Sequence, residues 1–366
     1  MNVYIYYVIF AFIISLISGA VLIPVIIKFC RKRKLYALPD TRKVHRMMIP
    51  RLGGIAFLPS MLFAFIVSLF VLSRVLGGME VTIGLWSCAF IVSIFIIYSV
   101  GVVDDLIGLG PKVKFLAQTL SALLLPLSGL YINNLYGFLG IWDIPFYIGA
   151  PLTVFVIVYI DNALNLIDGI DGLAGGLALM SLFGFLLCFM REGVWTYCVL
   201  ISGLIGVLVA YLYFNIFCKP ESNRKIFMGD SGSLTLGFVL GFLFVKFAMD
   251  NSKVMTYRSD SLLLSYTLLI VPCFDVVRVM LSRLWAGQPL FKADKRHIHH
   301  KLLRCGLSQH CALASILGLQ LAFVVLNVVL YQYMAITYIV AIDILAFVLF
   351  NIVVNSFIKR AEAVRG

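Results

Sequence analysis

Asp104 and Asp105 stand side by side in "VDDLIGLGPKVK", residues 103–114, and Asp230 lies among glycines and serines in "KPESNRKIFMGDSGSLTLG", residues 219–237. Adjacent carboxylates at the end of an apolar run repel each other, so keeping both ionised requires a cation or basic groups close by. Asp104 and Asp105 are therefore candidates for a metal or proton-transfer site, with Lys112 and Lys114 as supporting cations. Asp230 directly precedes an apolar run, where the free N–H groups of a helix start meet a hard-oxygen ligand; Mg²⁺ with phosphate suits that pairing. The plainer alternatives are solvated loop charges for the aspartate pair and a helix cap for Asp230.

Three further clusters carry polar chemistry. In "YIDNALNLIDGIDGLAGG", residues 159–176, Asp161, Asn165 and Asp168 follow i, i+4, i+7, and Asn165, Asp168 and Asp171 are spaced by three, so a helix would carry an inward polar stripe. Capping of the next helix by Asp171 explains one aspartate of that stripe and not the others. In "PDTRKVHRMMIPRLGG", residues 39–54, Arg42, Lys43, His45, Arg46 and Arg51 precede two glycines that permit close backbone approach, a combination able to hold phosphate. Simple accumulation of positive charge on one membrane face accounts for the same arginines. In "PLFKADKRHIHHKLLRCG", residues 289–306, His297, His299 and His300 lack zinc-ligand spacing. Flanked by Lys295, Arg296, Lys301 and Arg304, they read as donors to a pyrophosphate, or else as an amphipathic surface helix.

The elements that must position these residues are membrane helices. With 62% hydrophobic and 13% charged residues over 366 positions, the chain departs from soluble domains, whose charged share is about 25%. Apolar runs near 3–27, 53–73, 83–101, 115–131, 151–165, 174–191, 195–214, 233–249, 261–283, 311–330 and 337–356 predict an all-α integral membrane protein of about eleven transmembrane helices. The first run lacks a basic start and a cleavage site and is followed by "RKRK", so it is expected to remain as an anchor. With residues 28–51 inside, only Arg74, Arg191, Lys246, Lys253 and Arg258 of the 29 Lys and Arg fall outside. The N-terminus is then outside and the C-terminus cytoplasmic, and all five polar clusters share the inner face.

The net charge of +12, gathered at one face, suits anionic headgroups and phosphate-bearing substrates, and no nucleic-acid motif accompanies it. The eight cysteines form no CxxC pair and read as reduced packing residues. No repeat or linker divides the chain, so residues 1–366 are expected to form one domain. Residues 132–150, rich in aromatics, Gly and Pro, suggest a hairpin or interfacial segment serving as an aromatic belt.

Taken together, "RKVHRMMIPRLGG", "VDDLIGLGPKVKF", "NALNLIDGIDGLAGG", "IFMGDSGSL" and "DKRHIHHKLLRCGLS" resemble, in order and over nearly the whole chain, the polyprenyl-phosphate N-acetylhexosamine-1-phosphate transferase family. The resemblance implies a multi-span enzyme of the bacterial inner membrane whose site opens to the cytoplasm. It implies transfer of a sugar 1-phosphate from a UDP-N-acetylhexosamine to undecaprenyl phosphate, with release of UMP and a requirement for Mg²⁺ or Mn²⁺. By the same resemblance Asp104 and Asp105 correspond to the paired catalytic aspartates, with Asp105 also assisting Asp230 at the metal. Asn165, Asp168 and Asp171 match the nucleotide-side loop, and His297, His299 and His300 match the histidine motif, with Asp168 and His297 counted among the catalytic groups and His299 and His300 among the substrate-binding ones. Lys43, His45, Arg51, Lys112, Lys114 and Arg296 join the substrate-binding set. The chain departs from a DDxxD pattern by having Gly108 in the last position, which argues against a mechanism needing three carboxylates there. The HIHH form after Arg296 favours GlcNAc over the muramyl-pentapeptide donor.

A transporter of another class would also carry intramembrane polar residues, but would typically show repeated halves and broken mid-membrane helices. A CDP-alcohol phosphotransferase would need an Arg after "DGIDGLA", which is absent. The sequence allows a homodimer and leaves the downstream polysaccharide open.

Overall fold

The computed structural model describes residues 3–36, 49–76, 84–251, 255–288 and 296–365. The chain opens with α1 (Tyr4–Arg33). A 3₁₀ turn at Gly53–Ala56 then leads into α2 (Phe57–Leu76), followed by α3 (Leu85–Ile107) and α4 (Pro111–Leu127). A short antiparallel hairpin, β1 (Asn134–Phe138) with β2 (Ile141–Asp143), precedes α5 (Phe146–Ile167), α6 (Leu173–Arg191) and α7 (Trp195–Leu212), which runs on into a π turn at Tyr213–Phe217. The remaining helices are α8 (Asp230–Ala248), α9 (Ser261–Thr267), α10 (Ile270–Trp285), α11 (Ile298–Arg304), α12 (Gln309–Leu330) and α13 (Ile336–Arg365).

Among the described residues nine helices are long and apolar enough to cross a membrane, and a tenth span results if α9 and α10, bent by 68° at their junction, count as one. The chain is a multi-pass membrane protein. The expected eleven is not reached because the run predicted at 115–131 becomes α4, only 17 residues long. At ~1.5 Å per residue that is about 25 Å, short of a ~30 Å hydrocarbon core. The hairpin expected within 132–150 is present and is the exception to an otherwise helical chain.

α8 is the central post. It is buried from Ser231 to Ala248, whereas α1 and α2 turn Ile17, Val21, Ile66 and Phe70 outward, as lipid-facing helices do. Gly237 and Gly241 let α5 approach closely: a Cβ on Gly237 would lie 2.6 Å from the Asp161 Cα. The far end of α8 is tied down twice. Tyr136 of β1 donates through its hydroxyl to the Ala248 carbonyl at 2.8 Å, and the buried Arg258 donates to the Phe247 carbonyl at 2.6 Å. Asn133 and Asp250 exchange two hydrogen bonds of 2.7 and 2.8 Å beside them.

α1 and α7 lie parallel: Ser202 donates to the Val8 carbonyl at 2.6 Å, and a Cβ on Gly19 would meet Ala210 Cβ at 3.0 Å. At the α9–α10 break the freed backbone groups are taken up by Gln320 of α12. Its amide donates to the Thr267 carbonyl at 2.8 Å and accepts from the Val271 N–H at 3.1 Å.

Candidate active site

The start of α8 has no cap of its own, because the preceding residue is Gly229. Asp105, at the end of α3, supplies one from outside: Oδ1 accepts the Asp230 N–H and Oδ2 the Ser231 N–H, each at 2.9 Å. A carboxylate at a helix N-terminus satisfies two orphan donors and complements the helix dipole. Gly229 makes this possible. Its φ is +75°, and a Cβ there would sit 2.5 Å from Asp105 Oδ2 and 2.1 Å from the Arg51 carbonyl.

The "RLGG" stretch completes the frame by pairing with "IFM". Gly53 N–H donates to the Phe227 carbonyl at 2.9 Å, Gly54 to Met228 at 2.8 Å, and Phe227 donates back to Pro50 at 2.8 Å. The Arg51 guanidinium donates to the Asp105 carbonyl. Arg51 thus acts on the frame, whereas it was expected to contact substrate. Lys43 and His45 lie outside the described residues.

Asp104 takes a different part from its neighbour. Its Oδ1 accepts the Leu109 N–H at 2.5 Å, and its Oδ2 faces the Lys114 ammonium at 3.2 Å. Lys114 also reaches Asp230 Oδ2 at 2.6 Å, and the Asn165 amide donates to Asp230 Oδ1 at 3.2 Å and to the Ser233 hydroxyl at 2.8 Å. Side chains from α3, α4, α5 and α8 therefore converge at one point, with the Lys114 and Asp230 side chains 24% and 28% exposed. The cluster is open enough for a ligand to enter. Lys112, on the exposed side of α4, is not drawn in. One turn further into the bundle Gln118 donates to Asp161 at 2.9 Å, so the i, i+4 stripe read from the sequence does face inward.

The loop after α5 is held from the α7–α8 connection. Lys225 pairs with Asp171 at 2.6 Å, and Asn215 accepts the Gly172 N–H at 2.7 Å while donating to the Ile226 carbonyl at 2.9 Å. Capping of α6, the plainer reading of Asp171, is not what the structure shows: the residue in the cap position is Gly172, in the left-handed conformation, and Asp171 pairs with Lys225. Asp168 ends α5 and is exposed at this loop's surface.

The histidine group abuts the same loop. A Cβ on Gly169 would fall 2.1 Å from His299 Nε2, so only glycine admits that ring. His299 is 1% exposed, neither ring nitrogen has a hydrogen-bond partner among the described residues, and it lies between His297 and His300 at centroid distances of 6.0 and 4.1 Å. Burial, with the neighbouring His300 adding to it, pushes the His299 pKa down to about 3, which keeps the ring neutral. His297 is fixed by Asp275, whose Oδ2 lies 2.8 Å from Nδ1; the same carboxylate accepts the Ile298 N–H and the Arg278 guanidinium. Arg296 was expected to meet a pyrophosphate. It instead donates to the Ser282 carbonyl and the Gln288 side chain, both at 3.0 Å, closing the local fold. Among the described residues no three His, Cys, Asp or Glu side chains form a metal-binding group by themselves.

Sequence reasoning missed Asp275, Lys225, Asn215 and Gln118. Asp275 left a readable trace, a lone carboxylate within "VPCFDVVRVM", where an intramembrane acid must have a partner. The other three leave none, since each is ordinary at its own position and acquires meaning through a residue 43 to 54 places away.

Comparison with known proteins sets this geometry in context. Residues 86–248, which carry Asp104, Asp105, Lys114, Asn165 and Asp230, match the family described as Glycosyl transferase family 4. The chain is 32% identical over 335 residues to a Bacillus subtilis (strain 168) protein named a probable undecaprenyl-phosphate N-acetylglucosaminyl 1-phosphate transferase, covering 87% of this chain and 84% of that one. It is 27% identical to the Yersinia pestis undecaprenyl-phosphate alpha-N-acetylglucosaminyl 1-phosphate transferase over 278 residues, 75% of this chain and 71% of the other. The Escherichia coli (strain K12) protein of the same name is 27% identical over 290 residues, 78% and 73% of the two chains.

Proposed function

Because the chain belongs to glycosyl transferase family 4, we propose that it transfers N-acetylglucosamine 1-phosphate from UDP-GlcNAc to undecaprenyl phosphate. An oxygen of the lipid phosphate attacks the sugar-linked phosphorus, the bond from that phosphorus to the bridging oxygen breaks, and UMP leaves with that oxygen. One pyrophosphate link replaces another, so no further energy source enters. The carrying observation is the Asp104–Lys114–Asp230 cluster, a cation seated between carboxylates where spans from both halves of the chain meet.

The donor set fits Mg²⁺ or Mn²⁺. Lys114 already occupies a position between two carboxylates, and the oxygens available are hard ones from Asp104, Asp230 and the Asn165 carboxamide. Two carboxylates completed by substrate phosphates are a usual way of holding Mg²⁺. Both oxygens of Asp105 accept backbone N–H groups, so we assign the metal to Asp230 and Asp104 and give Asp105 the task of fixing the start of α8. The ion, when bound, would polarise the donor pyrophosphate and stabilise charge on the departing UMP.

The chain's own groups do the rest. Lys114 offsets phosphate charge at the cluster. The lipid phosphate, with a second pKa of about 6, is already largely ionised at neutral pH, so orientation matters more than removal of a proton. His297, with Nδ1 held by Asp275, keeps Nε2 to donate to a phosphate oxygen. Asp168 and the loop held by Lys225 stand on the nucleotide side. The Lys and Arg distribution supports a site facing the cytoplasm.

The test is transfer of label from UDP-GlcNAc to undecaprenyl phosphate by purified protein in detergent, with Mg²⁺ and with EDTA, beside UDP-GalNAc and UDP-MurNAc-pentapeptide. Metal-dependent lipid labelling with UMP release, strongest for UDP-GlcNAc, is the expected result. Folded protein that labels lipid from none of the donors would overturn the activity.

A further inference from the structure

Where α7 ends, an open groove of about 670 Å³ lies outside the carboxylate cluster's own residues. Its lining includes Tyr213, Phe217, Lys219, Glu221, Ser222 and Arg224. We propose that this groove docks the headgroup of an anionic phospholipid, with the two aromatic side chains against the upper acyl region and the cations on the phosphate.

The argument is one of charge and depth. Tyr213 and Phe217 sit in the π turn that closes a membrane-spanning helix and are 54% and 73% exposed, which puts bare aromatic surface at the level where chains meet headgroups. Lys219 and Arg224 follow directly, both exposed and neither with an acidic partner among the described residues. Glu221 is the one opposing charge in the lining. Two exposed aromatics under the paired cations Lys219 and Arg224 at a helix end are the chemistry that holds an anionic headgroup. The lining contains no residue of the Asp104–Lys114–Asp230 cluster, and Lys225, next in sequence, is committed to Asp171. A lipid seated here is therefore bound beside the enzyme and not delivered to its chemistry.

Native mass spectrometry of the full chain in neutral detergent, with phosphatidylglycerol and phosphatidylcholine added at equal concentration, tests this directly. The wild-type chain is expected to prefer phosphatidylglycerol. Lys219→Ala with Arg224→Ala should lower that binding at least tenfold, and Lys219→Arg with Arg224→Lys should retain it. The alanine pair should leave the KM for undecaprenyl phosphate unchanged. Equal binding of the two phospholipids, or an undiminished preference in the alanine pair, overturns the proposal. A raised KM for undecaprenyl phosphate in the alanine pair also overturns it, because the groove would then belong to the lipid substrate. The binding readout needs no turnover, so its failure is separable from failure of the transferase reading.

Discussion

Lys114 Nζ stands 2.6 Å from Asp230 Oδ2 and 3.2 Å from Asp104 Oδ2, joining carboxylates that lie 126 residues apart in sequence. The two acids face each other with one ammonium between them, so the charge of the site depends on a single side chain of α4. Lys114→Met removes that charge and leaves the acids opposed. Turnover should drop about 100-fold, the scale of losing one electrostatic contact at a transferring phosphate. Steady-state rates at saturating Mg²⁺ check it, and a variant within twofold of wild type would remove Lys114 from the mechanism.

The neighbouring aspartates should separate by readout. Asp105→Ala strips two backbone N–H groups of their acceptor and should destabilise the fold by about 2 kcal/mol, visible as a lower apparent Tm in detergent. Asp104→Asn should leave melting close to wild type and reduce turnover. Melting curves and rates measured on the same two preparations decide it; the reverse pattern would exchange the roles assigned here.

For the metal, Asp230→Asn is expected to abolish transfer while the protein stays folded. EDTA should do the same to the wild type, and added Mg²⁺ should restore it. Turnover by Asp230→Asn at the wild-type rate would exclude this aspartate as a ligand.

How much of this could be read beforehand differs by residue. The inward stripe of Asp161 and Asn165 follows from helical spacing alone, and Asn165 does meet Asp230. The division between Asp104 and Asp105 could not be read. Two identical neighbours differ by about 100° in direction on a helix, and which one meets α8 depends on how α3 packs. The span count went astray at α4 for a local reason, since its helix begins at Pro111 and ends at Leu127, before the run of apolar residues does. Arg296 illustrates the converse: a basic residue beside histidines suggests phosphate, but its guanidinium is used on Ser282 and Gln288.

Gly169 carries a packing constraint that a double substitution can expose. Gly169→Ala drives a methyl group to 2.1 Å from His299 Nε2, so the ring or the loop must move. Transfer should fall at least tenfold. Adding His299→Ala to Gly169→Ala should recover part of that loss relative to the product of the two single effects. Strict additivity of the two would show that the contact is energetically idle.

The buried His299 also sets a pH response. Its pKa is lowered to about 3 by burial, against about 6.5 when unfolded, so below pH 6.5 the unfolded chain takes up a proton that the folded one refuses. Its contribution to stability is complete above that point and is lost as pH falls from 6.5 toward 3. At pH 5.5 the loss is about 1 kcal/mol. Apparent Tm measured from pH 7.5 to 5.5 should fall more steeply for wild type than for His299→Gln, and parallel curves would count against a buried neutral ring.

α8 is fastened at one end by Asp105 and at the other by Tyr136 and Arg258. Held at both ends, the helix has the place of its first acid, Asp230, fixed relative to α3 at one end and to the hairpin at the other. On the proposed reaction the sugar-bearing lipid is then released into the leaflet that delivered its acceptor.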